Sequence, residues 1–309
     1  MEYHVPVLAD ESVELLAIKP AGIYVDATYG GGGHSRLILE QLGPSGRLFG
    51  FDQDEDARAN APTDDERFVF VPANFRHLRN YLRVYGVKEA DGILADLGVS
   101  SHQFDAAERG FSFRFDAELD MRMDRGGDRS ARHVLNGYSP DDLQAVLGEY
   151  GEVRNARTLA QAIVEAREVQ PIESIGEFLN VVEPFIRGTR PRYLAQVFQA
   201  LRIEVNDEMG ALRDLLTQAT DVLRPNAGRL VVISYHSLED RLIKNFLKTG
   251  NTAGTMEKDF YGNISRPYKV LTKKPLLPNR QETDRNPRAR SAKLRAGQRA
   301  AATATDDRT

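Results

Sequence analysis

The residues best suited to chemistry form a short run near the N-terminus, where an acid precedes four consecutive glycines. Asp26 ends a short apolar segment, and glycines occupy positions 30 to 33. Without a side chain, such a backbone can turn tightly and approach a ligand closely. A second acid, Asp52, ends the next apolar segment, at the place where an acid accepts hydrogen bonds from a ribose diol. The run predicts a site for an adenosine-containing ligand, with a flexible surface turn as the alternative.

The spacing of the glycines distinguishes two ligands of this kind. A dinucleotide site such as that for NAD requires G-x-G-x-x-G, but the sixth residue counted from Gly30 is Ser35, so the third glycine is missing. The pattern D-x-x-x-G-x-G is matched instead by Asp26, Gly30 and Gly32. This pattern resembles the first motif of class I S-adenosylmethionine-dependent methyltransferases, and we therefore expect S-adenosylmethionine as the ligand.

A sheet must hold these residues in place, and the chain shows short apolar segments that alternate with helical patterns. These segments cover residues 22–28, 46–52, 67–71, 91–96 and 226–234. The alternation predicts an α/β fold, a Rossmann-like and mostly parallel sheet with helices on both faces. About 130 residues separate the fourth and fifth segments, far more than one crossover helix needs. We expect a methyltransferase domain in two parts, residues 1–105 and 196–309, with an insert at 106–195.

Capping signals indicate that the insert is helical. Ser139 and Pro140 stand in the order that a helix start favours, a capping hydroxyl followed by a first-turn proline. Ser174 and Glu177 form a capping box for a later helix. The insert is expected to cover the donor pocket and to recognise the substrate, because ligands of such sheets bind where the strands end.

Composition excludes several kinds of mechanism. The 309 residues include no cysteine, which rules out a thiolate nucleophile, disulfides and cysteine-ligated zinc. The six histidines show no zinc-binding spacing on a helix, so we expect no catalytic zinc and name no metal ligands, with a bound magnesium as the alternative. No apolar run could span a bilayer and the N-terminus does not resemble a secretory signal, so we expect a cytoplasmic location.

The net charge of −4 hides a basic C-terminal arm. Between Arg266 and Arg299 eleven lysines and arginines face two acids, a local charge of +9. Prolines and apolar residues among the charges indicate extended, partly packed chain, with a solubilising tail as the alternative. We expect phosphate contacts from this arm. The candidate residues are Lys273, Lys274, Arg288, Arg290, Lys293, Arg295 and Arg299.

Longer motifs give a specific resemblance. They are HVPVL from His4, YGGGGHS from Tyr29, DLGVSS from Asp96, FQALRIEVN from Phe198, ISYHSLEDR from Ile233 and NPRARSAKLR from Asn286. Together with ERGFSF and LDMRMD they resemble the RsmH family, also called MraW, over residues 4–299. The resemblance implies a methyltransferase that methylates N4 of a cytosine in small-subunit (16S) ribosomal RNA, as naked RNA or within the assembled subunit.

The resemblance also implies which residues contact the methyl donor. They are Gly32, Gly33, His34, Asp52, Phe75, Asp96 and Gln103. Phe75 is equally consistent with a core residue, and His34 with a hydrogen-bonding residue at a helix start. The sequence departs from the family pattern at Tyr235, where phenylalanine is commoner, and over residues 190–196, which puts a substrate contact there in doubt.

Methylation of an exocyclic amine depends on positioning and on an acceptor for the amine proton. Methylation at carbon 5 of cytosine would need a cysteine, which is absent. Asp96, at the end of the fourth apolar segment, is the expected acceptor, with donor contact alone as the alternative. Tyr235 and His236 are expected to stack on or hydrogen-bond a flipped base, although His236 is also suited to capping the next helix.

Two other functions compete with this interpretation. The first is an NAD-dependent oxidoreductase, against which the missing third glycine counts. The second is a non-catalytic RNA-binding assembly factor, which would be expected to lack the donor-site acids that this chain retains.

Overall fold

The structure, a computed structural model, describes residues 6–256 and 266–301. The chain divides into two compact units, one formed by residues 1–98 and 210–309 and the other by residues 99–209. The second unit starts earlier and ends later than the expected insert at 106–195. The reason is that Phe104 and the later apolar residues Leu201 and Val205 pack in its core. Within the described residues, no helix has the length and apolar character needed to cross a membrane.

In the described residues the first unit contains one seven-stranded sheet. Its strands are β1 (Ile23–Asp26), β2 (Arg47–Phe51), β3 (Phe68–Val71), β4 (Gly92–Asp96), β5 (Arg229–Ser234), β6 (Tyr268–Val270) and β7 (Lys293–Arg299). The strand order is β3-β2-β1-β4-β5-β7-β6, and β1 to β5 are parallel. The carboxyl ends of these five strands therefore meet at one edge, and the order reverses between β1 and β4, which is where such sheets bind ligands.

The basic arm contributes two strands beyond the five expected from the sequence. β7 runs antiparallel to β5, with Lys293 paired to Ser234, and β6 runs antiparallel to β7 at the edge of the sheet. Most residues of β7 are buried. The expectation of extended, partly packed chain is confirmed, and packing is more complete than the charge pattern indicated.

Twelve α-helices lie in the described residues. They are α1 (Ala9–Leu16), α2 (Gly33–Gln41), α3 (Leu78–Val84), α4 (Ser101–Asp105), α5 (Ala131–Gly137), α6 (Pro140–Glu149), α7 (Ala156–Val169), α8 (Ile175–Val182), α9 (Arg190–Asn206), α10 (Glu208–Val222), α11 (Ser237–Thr249) and α12 (Arg280–Arg285). In the first unit, side chains of α1 and α2 pack against buried residues of β1, β4 and β5.

The second unit is built from helices around its own apolar core. Its two predicted helix starts are confirmed. Ser139 caps α6 by accepting a hydrogen bond from Asp142 N, with Pro140 as the first helical residue. Ser174 and Glu177 form a complete capping box at the start of α8. The stripe of apolar residues on α7, including Leu159 and Ile163, is buried in this core.

Candidate active site

The glycine turn links β1 to α2 at the carboxyl edge of the sheet. Gly30 and Gly32 have φ values of 51° and 72°, a left-handed conformation that costs other residues about 1 to 2 kcal/mol. A Cβ on Gly32 would lie only 2.6 Å from Tyr29 Oη. A Cβ on Gly31, in contrast, would meet no atom within 4 Å. Tyr29 therefore fills the space beside Gly32, and the space beside Gly31 is open, as a cradle for a ligand requires.

Asp26 braces this turn from inside the protein. Its side chain is 1% exposed, and Oδ2 accepts a 2.7 Å hydrogen bond from Ser35 Oγ. Oδ1 accepts a 3.2 Å hydrogen bond from Thr28 N. Burial raises the pKa of Asp26, opposed mainly by the charge of His34 and by the hydrogen bonds. These contacts fit a residue that holds the turn in shape.

Asp52 follows β2 and reaches the same turn. Its Oδ2 accepts a 2.8 Å hydrogen bond from Gly30 N, and Oδ1 accepts one of 2.9 Å from Asp54 N. Burial raises the pKa of Asp52 to about 6, against the lowering effect of these two bonds. A carboxylate has about four acceptor positions, so Asp52 retains capacity for two ribose hydroxyls. The residues present therefore fit an adenosine-containing ligand.

Asp96 ends β4 and carries the second cluster of polar contacts. Tyr235 Oη donates a 2.7 Å hydrogen bond to Asp96 Oδ1. The Asp96 backbone N–H donates to Thr28 Oγ1 at 2.7 Å, which fixes the end of β4 against the end of β1. Burial raises the pKa of Asp96 to about 6, while His34 and the Tyr235 hydrogen bond lower it. Its side chain remains 23% exposed, so the carboxylate can reach a bound molecule.

His34 lies beside the other oxygen of Asp96. Its Nε2 is 3.0 Å from the carbonyl oxygen of Val7, and a carbonyl only accepts, so Nε2 carries the proton. Its Nδ1 lies 3.8 Å from Asp96 Oδ2, which is beyond hydrogen-bond distance. Oδ2 consequently keeps its capacity to accept a proton from a substrate.

Tyr235 and His236 are held by a buried acid in the first turn of α11. Glu239 is 2% exposed, and its Oε2 accepts hydrogen bonds from Tyr235 N at 2.9 Å and from His236 N at 3.4 Å. His236 directly precedes α11, in the helix-capping position that was its alternative role, and its Nε2 lies 3.2 Å from Glu239 Oε1. Burial and Asp96 raise the pKa of Tyr235 far above its usual range, so the hydroxyl stays protonated.

Phe75 and Gln103 belong to different units of the chain. Phe75 is half-buried in a short 3-10 helix that follows β3, and the neighbouring Asn74 side chain donates to Gln53 Oε1 at 2.8 Å. Gln103 belongs to the second unit, where it forms a capping box with Ser100 at the start of α4. The predicted contact of Gln103 with the donor stays a prediction.

The predicted RNA-binding residues differ in exposure. Lys273, Lys274, Arg288 and Arg290 are exposed, whereas Lys293 is half-buried. Arg295 is only 6% exposed, and its Nε donates a 2.6 Å hydrogen bond to Asp240 Oδ1. Arg299 is 8% exposed and donates to the Thr220 carbonyl. In this conformation the last two guanidinium groups stabilise β7 and are not presented to phosphate.

Sequence reasoning missed three residues that support the site. Thr28 Oγ1 accepts a hydrogen bond from the Asp96 N–H. Asn60 Nδ2 donates a 3.1 Å hydrogen bond to the Gly30 carbonyl oxygen. Both contacts join residues far apart in the chain and leave no local signal. Glu239 stands three residues after His236, and this capping-box spacing was a usable signal.

The strand order and the acids around its reversal point define the class I methyltransferase fold. The chain belongs to the MraW methylase family, whose model matches residues 1–300. It is 56% identical over 299 residues to the ribosomal RNA small subunit methyltransferase H of Parabacteroides distasonis, covering 96% of this chain and 97% of that protein. It is 54% identical over 300 residues to the protein of the same name from Flavobacterium johnsoniae, covering 97% and 98%.

Among solved structures, TrmN from Thermus thermophilus aligns with a TM-score of 0.42 and 11% sequence identity. The alignment covers 94% of this chain and 48% of that one. Since this overlay is loose, the fold assignment rests on the strand order and the family.

Proposed function

We propose that this chain is an S-adenosylmethionine-dependent methyltransferase that acts on the exocyclic N4 of a cytosine in small-subunit ribosomal RNA. The observation that carries the proposal is the pairing of the glycine turn with the Asp96 cluster at one edge of the sheet. The relatives, named ribosomal RNA small subunit methyltransferase H, support the RNA substrate. A ribosomal RNA substrate in turn favours a cytoplasmic location.

The donor site is assigned to the carboxyl ends of β1 and β2. Gly30, Gly32 and Gly33 form the cradle, and Asp52 accepts hydrogen bonds from the ribose hydroxyls. Phe75 is assigned to the adenine end of this site because it follows β3 at the same edge of the sheet. When bound, S-adenosylmethionine supplies an electrophilic methyl group.

Asp96 is assigned to the amine of the target base. Its Oδ1 is held by Tyr235, which leaves Oδ2 to accept the proton that N4 loses as the new N–C bond forms. An ionised Asp96 also attracts the amine hydrogens and so aligns the N4 lone pair, which the cytosine ring otherwise delocalises. Positioning of this kind contributes up to roughly 7 to 11 kcal/mol in favourable systems.

The RNA is bound by residues outside the pocket. Lys273, Lys274, Arg288 and Arg290 are exposed and are assigned to phosphates, which set affinity and register without reading sequence. The helical unit at residues 99–209 is assigned to substrate recognition, because the chain enters it soon after Asp96.

Calorimetric titration with S-adenosylmethionine and with NAD tests the donor assignment, and transfer to small-subunit RNA tests the reaction. Binding of the methyl donor without NAD binding is expected. Asp96→Asn should retain donor affinity and lose at least about 100-fold in kcat, a typical contribution of a proton acceptor. The matched control is Asp64→Asn, which neutralises an exposed acid. Binding of NAD alone, or full turnover by Asp96→Asn, would overturn the assignment.

A further inference from the structure

A groove separate from the glycine turn lies between α11 and the chain that follows β6. It encloses about 470 Å³, and its lining includes Lys244, Leu247, Lys248, Val270, Lys273 and Arg295. We refer to it as the α11 groove. Four of the eight residues that line it are basic, in a chain whose overall charge is −4.

Only one of these four cations is paired with an acid. Asp240 accepts the Arg295 guanidinium at 2.6 Å and lies 3.7 Å from Lys293 Nζ. Among the described residues no carboxylate oxygen lies within 4.0 Å of the ammonium groups of Lys244, Lys248 or Lys273, and all three side chains are exposed. Counted over the described residues alone, the groove therefore has an uncompensated charge of about +3, which is complementary to a polyanion.

The groove also has a direction. Lys244 and Lys248 are one turn apart on the same face of α11, a rise of about 6 Å, and Lys273 lines the groove with them. α11 begins at residue 237, directly after Tyr235 and His236 at the catalytic edge. Along α11, the residues from Asp240 to Lys248 therefore lie progressively farther from that edge.

We propose that the α11 groove binds the phosphate backbone of a single-stranded RNA segment adjoining the target base. This inference rests on the proposed function. The three lysines contact successive phosphates, and the partly exposed Val270 (37%) offers an apolar surface to a ribose or base. Contacts of this type set affinity and register and carry no sequence preference.

The test compares wild type with the double variant Lys244→Ala/Lys248→Ala. The probes are a small-subunit rRNA fragment and oligouridine, with affinity measured between 50 and 200 mM salt. Each single-strand phosphate contact contributes about 0.7 to the slope of log affinity against log salt. The slope should fall by about 1.4 for both probes, so the affinity ratio between the two salt concentrations falls about sevenfold. The affinity for S-adenosylmethionine and kcat at saturating RNA should not change.

The matched control is Arg83→Ala/Lys88→Ala, which removes two exposed charges from the same unit and should leave the slope unchanged. Lys273→Ala, from a separate segment of the groove lining, should lower it by about 0.7. An unchanged slope in the double variant overturns the groove assignment. The assignment is also overturned if polyglutamate binds wild type through Lys244 and Lys248 and RNA does not bind there. This outcome would identify an acidic protein as the occupant of the groove. If wild type binds no methyl donor and methylates no RNA, it is the proposed function that fails.

Discussion

Tyr235→Phe removes a single hydroxyl from the candidate site and tests the role of Asp96. That hydroxyl donates a 2.7 Å hydrogen bond to Asp96 Oδ1 and so stabilises the ionised carboxylate. A hydrogen bond to a charged group is worth about 1.5 to 3 kcal/mol, and about 1.4 kcal/mol corresponds to one pKa unit. The pKa of Asp96, raised by burial to about 6, should therefore rise by at least about one unit in the variant.

The sign of the pH effect follows from the role of the carboxylate. Asp96 accepts a proton only when ionised, so wild-type kcat should rise with pH and reach half its plateau near pH 6. In Tyr235→Phe the midpoint should move to about pH 7, with a loss of about fivefold at pH 6 and little loss above pH 8. The assay is single-turnover methyl transfer at saturating donor and RNA between pH 5 and 9.

Tyr268→Phe is the matched control, because it removes a hydroxyl that pairs with Thr220 and does not contact Asp96. Its pH profile should coincide with that of wild type. A Tyr235→Phe profile with an unmoved midpoint would refute the proposed coupling of this tyrosine to Asp96. A uniform loss at every pH would instead point to a contact between Tyr235 and the base.

Three further predictions follow from the structure. Gly32→Ala should lower the free energy of unfolding by about 1 to 2 kcal/mol because Gly32 has a left-handed φ, and it should weaken donor binding. Gly31→Ala should leave the free energy of unfolding nearly unchanged. Chemical denaturation measures the stability of each variant, and calorimetry measures its donor affinity. Asp52→Asn should weaken donor binding roughly 10- to 100-fold. The donor affinity of wild type should rise as the pH increases through about 6, where Asp52 ionises, and the affinity of the variant should not. Equal pH profiles for the two proteins would exclude the ribose contact. Arg295→Ala should lower the free energy of unfolding by about 1.5 to 3 kcal/mol, because Asp240 loses its hydrogen-bonded partner while Lys293 Nζ stays at 3.7 Å. A drop in RNA affinity without this destabilisation would contradict the structural role.

The parts of the site that depend on local sequence were predictable. Strand, glycine turn and helix follow one another directly, so Asp26 and Gly30 to Gly33 could be placed from the order of residue types. Asp52 could be placed because parallel strands end at one edge. The fold class followed from the same alternation, and the helix starts at Ser139 and Ser174 followed from capping chemistry.

Contacts between distant residues could not be predicted in this way. The hydroxyl of Tyr235 donates a hydrogen bond to Asp96, 139 residues earlier in the chain, a contact with no local signal in the sequence, and the expected contact of Tyr235 with a base stays a prediction. Arg295 counted as a phosphate ligand because charge is visible in a sequence while its burial against Asp240 is not. The insert boundaries shifted because the packing of an apolar core, not a composition change, decides where a unit ends.

The most direct test of N4 methylation supplies wild-type protein with small-subunit RNA and with S-adenosylmethionine whose methyl group carries deuterium. The RNA nucleosides are then analysed by mass spectrometry. The labelled methyl is expected in N4-methylcytidine, and Asp96→Asn should greatly reduce its amount. Label found in 5-methylcytidine or in another base, or no label in RNA although the donor binds, would contradict N4 methylation.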